Sequence, residues 1–149
     1  MKTALLLIDL QNDYFPGGRM ELEGSSEAVL RAKDILDTCR AVGIPVFHVQ
    51  HLSLQKGAAF FLPDTDGVRI HDTVKPLPDE TVIQKHYPNS FRETALLAEL
   101  KKREISRLIV CGMMSQMCVD ATVRAASTTA LPASSFTTPA PQGPCHSTG

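Results

Sequence analysis

The chain has 149 residues, 43% of them hydrophobic and 21% charged, so it is long enough for one globular domain around a single core. Fifteen basic and 16 acidic side chains give a net charge of -1, which argues against a protein that follows nucleic acid or an anionic membrane. The apolar start at residues 3–8 is too short for a secretory signal, so we expect a cytoplasmic protein.

Four short apolar runs predict the strands of a parallel sheet. They cover residues 3–10, 45–51, 81–85 and 107–111. Each run is rich in Val, Ile and Leu without clean alternation, which is typical of strands buried on both faces. Longer stretches of helical period lie between them. The predicted fold class is therefore α/β, a Rossmann-like open, mostly parallel sheet covered by helices on both faces.

Three helices are predicted between and after these strands. Residues 26–42 place apolar side chains along one stripe and are followed by Gly and Pro, which end helices. A second helix should begin at Ser90, because Ser90 and Glu93 have the spacing of a capping box ahead of the apolar run 94–100. A third should run over residues 117–126.

Two segments lack a regular pattern. Residues 53–78 contain Gly, Pro and Asp and form a longer loop than a compact domain usually has, so they are a candidate wall for an active site. Residues 127–149 have neither strand nor helix period. We interpret them as an atypical low-complexity tail that follows a single domain at residues 1–126.

The candidate catalytic residues follow from the position of ligands in α/β sheets, outside the carboxyl ends of the strands and near the point where strand order reverses. Asp9 lies at the end of the first predicted strand and Lys85 at the end of the third. Cys118 follows the fourth strand after a short connection. We expect the three side chains to meet in one crevice.

These residue types suit nucleophilic hydrolysis. A helix N-terminus and a nearby cation lower the pKa of a thiol, and both are expected at Cys118. Asp9 would accept the thiol proton and pass it to a leaving amine, while Lys85 keeps Asp9 oriented and its charge tolerable. The backbone N–H groups of Met114 and Cys118 would hold the oxyanion of a tetrahedral intermediate.

Each residue on its own has a simpler interpretation. Asp9 alone is a strand-end carboxylate, Lys85 a solvated strand end, and Cys118 one of four thiols, which are usually inert when buried. Cys39 and Cys111 are assigned to that inert class. The sequence has no C-x-x-C pair, so neither a zinc ribbon nor a thioredoxin-like motif is indicated. Only the joint placement at strand ends favours catalysis.

Three segments carry a resemblance to a known family. They read LIDLQNDYF at residues 7–15, IQKHYPNSF at residues 83–91 and VCGMMSQMCV at residues 110–119. In this order they resemble the isochorismatase-like cysteine hydrolases, which include nicotinamidases, N-carbamoylsarcosine amidases and ureidoacrylate amidohydrolases. The resemblance implies a catalytic triad formed by Asp9, Lys85 and Cys118.

The resemblance has further implications for the site. It implies a cis peptide between Met113 and Met114 and places Phe15 and Phe91 in the substrate pocket, although aromatic residues that flank a strand end are more often core residues. Metal-dependent nicotinamidases carry an Asp-x-His pair after the second strand, which this chain lacks, so we expect no metal and no other cofactor. His48 and His51 should point to opposite faces of their strand, His51 toward the pocket and His48 as a structural residue.

The function implied by the resemblance is hydrolysis of a small amide or related C–N bond through a thioester, with a small-molecule substrate. Family members continue with further strands, and residues 127–149 do not resemble them. We hypothesise a shifted reading frame or an altered terminus, which leaves the fourth strand as an edge that a homo-oligomer would cover. Two alternatives stay open: a catalytically impaired member with a binding or structural role, and a redox-sensing thiol, against which the lack of a resolving cysteine near Cys118 counts.

Overall fold

The structure, a computed structural model, describes residues 2–113, 120–128 and 133–135. Within these ranges the chain forms one parallel sheet of five strands in the order β3-β2-β1-β4-β5. The strands are β1 Lys2–Ile8, β2 Val46–His51, β3 Thr81–Lys85, β4 Ile105–Gly112 and β5 Ala133–Ser135. The α-helices are α1 Ser25–Ala41, α2 Leu96–Lys102 and α3 Asp120–Thr128, and short 3-10 turns span Asn12–Tyr14, Asp66–Val68 and Asp72–Val74.

The sheet packs against different helices on its two faces. Leu5 and Leu7 of β1 lie in a core with residues of α1, whereas Leu6 and Ile8 lie in a second core with residues of α2 and α3. Successive side chains of a strand point to opposite faces, so residues 4–8 of β1 must all be apolar to fill both cores. The predicted α/β class with helices on both faces is confirmed.

The second helix begins later than predicted. α2 starts at Leu96, and its N-cap residue, Ala95, makes no side-chain capping bond. The capping box expected at Ser90 and Glu93 is therefore wrong. The Ser90 hydroxyl instead lies 2.8 Å from the hydroxyl of Thr122 in α3, where both groups are buried. The side chain that local spacing assigned to a helix cap therefore forms a tertiary hydrogen bond instead.

The short strand β5 extends the sheet beyond β4. Its three residues pair in parallel with Leu108, Ile109 and Val110. They lie in the segment 127–149, where the sequence showed no strand period, so this strand is a feature that sequence reasoning missed. It covers the middle of β4, which was expected to be an open edge. The division into a domain at residues 1–126 and a tail stays a prediction.

The long segment 53–78 is bonded to the residues that follow β1. The His71 N–H donates to the Leu10 carbonyl at 2.8 Å. The Asp13 carboxylate, which is buried, accepts from the Phe61 N–H at 2.6 Å. These bonds place the segment beside the carboxyl end of the sheet. Among the described residues, no helix is long and apolar enough to span a membrane.

Candidate active site

Asp9 and Lys85 form a buried ion pair at the carboxyl edge of the sheet. Asp9 directly follows β1, Lys85 is the last residue of β3, and the Lys85 Nζ lies 3.1 Å from the Asp9 Oδ2. Both side chains are 0% exposed. The φ angle of Asp9 is +57°, a left-handed backbone conformation that is uncommon outside glycine. Strained backbone of this kind clusters at functional sites.

The strand order explains why this edge can bind a ligand. From β1 the chain continues to β2 and β3 on one side and then crosses to β4 on the other side of β1. The connections diverge between β1 and β4, and open α/β sheets generally bind ligands at the carboxyl ends of strands at such a point. Asp9 lies at this switch point. The Lys85 side chain reaches it across the end of β2.

The end of β4 lies against the end of β1. The Met113 N–H donates to the Ile8 carbonyl at 3.1 Å. Gly112 allows this approach, because a Cβ at its position would overlap the same carbonyl oxygen. The chain therefore leaves β4 next to the residue that precedes Asp9.

The first turn of α3 is anchored on the segment that follows β3. The Thr122 hydroxyl accepts from the Ser90 N–H at 3.1 Å and lies 2.8 Å from the Ser90 hydroxyl. The expected nucleophile Cys118 and the expected oxyanion donor Met114 lie between Met113 and α3, outside the described residues. The expected cis bond between Met113 and Met114 falls outside them as well.

His51 lies beside the ion pair. It is the last residue of β2, is paired in register with Lys85, and its Nδ1 lies 2.9 Å from the Lys85 Nζ. Burial, the Lys85 ammonium and the nearby His86 lower the pKa of His51 to about 4. The imidazole is therefore neutral near pH 7. Because an ammonium group has only donors, Nδ1 accepts this hydrogen bond and Nε2 carries the ring proton.

His48 lies away from the site, in agreement with its predicted structural role. Its Nε2 is 3.0 Å from the Glu80 Oε1, and Glu80 also forms a 2.6 Å ion pair with Arg40 of α1. Burial lowers the pKa of His48, while Glu80 opposes that shift. Hydrogen bonds from Arg40, the Leu77 backbone and His48 hold the pKa of the Glu80 carboxyl at about 2 despite its burial. This cluster ties β2 to α1.

Comparison with known proteins identifies the family to which this fold and edge belong. The model of the isochorismatase domain matches residues 3–129. The chain belongs to the isochorismatase family. The uncharacterized isochorismatase family protein YddQ of Bacillus subtilis (strain 168) is 54% identical over 126 residues, which cover 85% of this chain and 70% of YddQ.

The chain is also similar to a named hydrolase and to a protein with a crystal structure. A streptothricin hydrolase of Streptomyces noursei is 36% identical over 124 residues, covering 83% of this chain and 48% of that protein. The crystal structure of an isochorismatase from Pseudomonas putida KT2440 is 34% identical, with a TM-score of 0.81 over 89% of this chain and 67% of that one. The chain thus spans about half the length of the streptothricin hydrolase.

The two aromatic residues expected in the pocket of this isochorismatase-family chain lie in or against its cores. Phe15 is 4% exposed in the core beside α1, with its ring centroid 4.0 Å from that of His71. Phe91 is half-buried against the other core. Phe15 is therefore a core residue. Contact of either ring with a substrate stays a prediction.

The cysteines assigned to packing behave as expected in the isochorismatase fold. Cys39 and Cys111 are both buried and form no disulfide. Burial raises the pKa of both thiols, to about 12 for Cys111. We expect neither thiol to be a nucleophile near neutral pH, because only the thiolate reacts readily. Their predicted burial is confirmed, and their lack of reactivity stays a prediction.

Gln11 is a site residue that the sequence analysis missed. Its buried amide accepts from the His51 N–H at 2.8 Å and donates to the carbonyls of His51 and Val68, each at 2.8 Å. Gln11 fixes the backbone of His51 from the same segment that carries Asp9. The signal available in the sequence was a polar amide two positions after a strand-end carboxylate, inside the motif shared with the isochorismatase family.

Two other features of the described residues lie apart from the ion pair. Among the described residues, no three His, Cys, Asp or Glu side chains lie close enough together to bind a metal ion. A surface groove of about 590 Å³ runs along the β3 side of the sheet, lined by residues that include Gln50, Leu52, Asp66, Arg69 and Gln84. Asp9, Lys85 and His51 do not line this groove.

Proposed function

We propose that this protein is a cysteine-dependent hydrolase that cleaves a small amide or related C–N bond, with Cys118 as its nucleophile. The observation that carries the proposal is the fully buried pair of Asp9 and Lys85, 3.1 Å apart at the switch point of the sheet. A buried ion pair adds little net stability, because desolvation offsets most of the attraction. A buried ion pair at the edge where sheets of this type bind ligands is therefore better explained by a role in catalysis than by a contribution to stability.

The chain on either side of Cys118 supports its assignment as the third member. Met113 is bonded to the Ile8 carbonyl next to Asp9. Thr122 is bonded to Ser90, in the segment that follows Lys85. The connection that carries Cys118 is thus held at one end beside β1 and at the other beside the residues after β3. Both anchors favour a thiol at the same edge as the ion pair.

The proposed reaction proceeds in two steps. Asp9 accepts the Cys118 proton, the thiolate attacks the acyl carbon, and Asp9 returns the proton to the nitrogen as the C–N bond breaks, leaving a thioester. Asp9 then accepts a proton from water, whose oxygen attacks the thioester, and the thiol leaves with that proton. The products are a carboxylic acid and an amine or ammonia.

The remaining groups act on charge. Lys85 favours the ionised form of Asp9, which the first step requires. The backbone N–H groups of Met114 and Cys118 would stabilise the oxyanion of each tetrahedral intermediate. The site as proposed uses no cofactor. The membership of the family and the similarity to a streptothricin hydrolase support hydrolysis of a small molecule, and the substrate, the cytoplasmic location and a homo-oligomeric state stay predictions.

The test is a panel of small amides assayed for ammonia release, with mass spectrometry of the protein after an acid quench. We expect turnover and an acyl adduct on Cys118, and the loss of both in Cys118→Ala. Cys39→Ala is the matched control, because Cys39 is a buried thiol within α1, and this variant should keep both. Turnover unchanged in Cys118→Ala would refute the proposal. Saturable binding of an amide by the wild type without turnover would favour a binding protein instead.

A further inference from the structure

The Lys85 ammonium group is approached from three different segments of the chain. Asp9 Oδ2 lies 3.1 Å away in the turn after β1, His51 Nδ1 lies 2.9 Å away at the end of β2, and the Tyr87 carbonyl accepts at 3.1 Å in the segment after β3. An ammonium group has three hydrogens, and its direction depends on which acceptors surround it. Of these three neighbouring groups, His51 is the one neutral side chain.

The backbone of His51 is bonded to the segment that carries Asp9. Gln11 bonds both the N–H and the carbonyl of the His51 backbone, so the end of β2 is joined to the segment that carries Asp9. The His51 ring is half-buried, with its centroid 5.8 Å from that of Phe61. The segment after β1 therefore carries Asp9 and, through Gln11, also positions the end of β2 that carries His51.

We propose that His51 is a positioning residue, which holds the Lys85 ammonium against Asp9 through the lone pair of its Nδ1. This inference rests on the proposed function, in which Asp9 and Lys85 activate Cys118. It differs from the role expected from the sequence, where His51 faced the substrate pocket.

A neutral ring is essential to this role. A protonated imidazole would have no acceptor at Nδ1 and would repel the ammonium. Burial and the neighbouring cation disfavour that protonated form, since they lower the pKa of His51 to about 4. The positive charge of this pair of side chains thus stays on Lys85, next to the Asp9 carboxylate.

Kinetics separate positioning from substrate contact. In His51→Leu the acceptor is lost, so we expect kcat to fall by about 10- to 100-fold with little change in KM, since a small misplacement of a catalytic group has effects of this size. In His51→Asn the amide oxygen replaces Nδ1 as an acceptor, so kcat should recover most of this loss. Gln50→Leu is the control, because Gln50 precedes His51 in β2 and bonds the Val68 carbonyl away from Lys85.

Two kinetic results would overturn the inference. The first is an unchanged kcat in His51→Leu. The second is a rise in KM with kcat intact, which would assign His51 to the substrate pocket. A loss of kcat in His51→Leu that His51→Asn does not relieve would also contradict a role that depends on an acceptor at Nδ1.

Nitrogen NMR of the histidine rings tests the contact without any substrate. We expect the Nε2–H tautomer of His51 in the wild type, and a higher titration midpoint in Lys85→Met, because the repelling ammonium is gone. If Lys85→Met does not fold, the double variant Asp9→Asn/Lys85→Met serves for the same comparison. An unchanged midpoint would overturn the inference. If the wild type hydrolyses no amide and forms no adduct, the proposed function fails, and this measurement still decides whether His51 holds Lys85.

Discussion

Replacing Lys85 by Met tests how the protein tolerates the buried carboxylate of Asp9. Both side chains are 0% exposed, so the variant leaves a carboxylate without its cation in the interior. Removing one member of such a pair destabilises proteins by about 3–5 kcal/mol. For a chain of 149 residues this corresponds to a melting temperature lower by roughly 10 °C or more. The hydrogen bonds of Lys85 to His51 and to the Tyr87 carbonyl are lost as well.

The double variant Asp9→Asn/Lys85→Met separates the charge effect from the loss of packing. It removes both charges, so we expect it to be more stable than Lys85→Met alone, although it carries one more substitution. The deficit of Lys85→Met should also shrink as pH is lowered, because protonation neutralises the orphaned carboxylate. The assay is urea unfolding followed by circular dichroism at pH 7 and at pH 5. A loss below about 1 kcal/mol in Lys85→Met, equal at the two pH values, would refute this reasoning.

Two further predictions concern the end of β4 and the titration of His51. Gly112→Ala should lower the free energy of unfolding by about 1–3 kcal/mol and reduce activity, because the new Cβ would overlap the Ile8 carbonyl and displace Met113. Thermal unfolding measures the effect, with Ser106→Ala in the same strand as the control. Equal losses of stability in the two variants would contradict the close approach of Gly112 to Ile8. His51 binds its proton more weakly in the folded state, with a pKa of about 4 against the ordinary 6.5, so its contribution to stability falls as pH drops from about 6.5 to 4, by at most about 1.4 kcal/mol per pH unit. His51→Leu should flatten this part of the stability curve in urea titrations, and a slope identical to that of the wild type would show that His51 is not buried beside a cation.

The strands were predictable because burial on both faces leaves a direct mark on composition. The third run was predicted at its observed bounds, Thr81–Lys85, and the ends of β1, β2 and β4 differ from prediction by at most two residues. The positions of Asp9 and Lys85 at strand ends followed from the same reasoning. The sequence could not establish that the two side chains meet, because their contact depends on the order of the strands in the whole sheet.

Ser90 and Gln11 show where local patterns were insufficient. The spacing of Ser90 predicted a helix cap, yet its hydroxyl is bonded to Thr122, 32 residues away along the chain. The polar amide of Gln11 beside a strand end was visible in the sequence, but its partner His51, 40 residues away, was not. A polar side chain bonds to whichever buried partner the fold brings near it, and short-range spacing does not contain that information.

The amino-acid sequence alone determined the class of the fold, the approximate extent of its main strands and the family of the chain. These properties follow from apolar periodicity and from short motifs, which are local along the chain. Only the tertiary structure decided that the ammonium of Lys85 lies between Asp9 and His51, that Phe15 is buried in a core, and that β5 extends the sheet. Those outcomes depend on contacts between distant segments, whose geometry is set when the strands pack side by side.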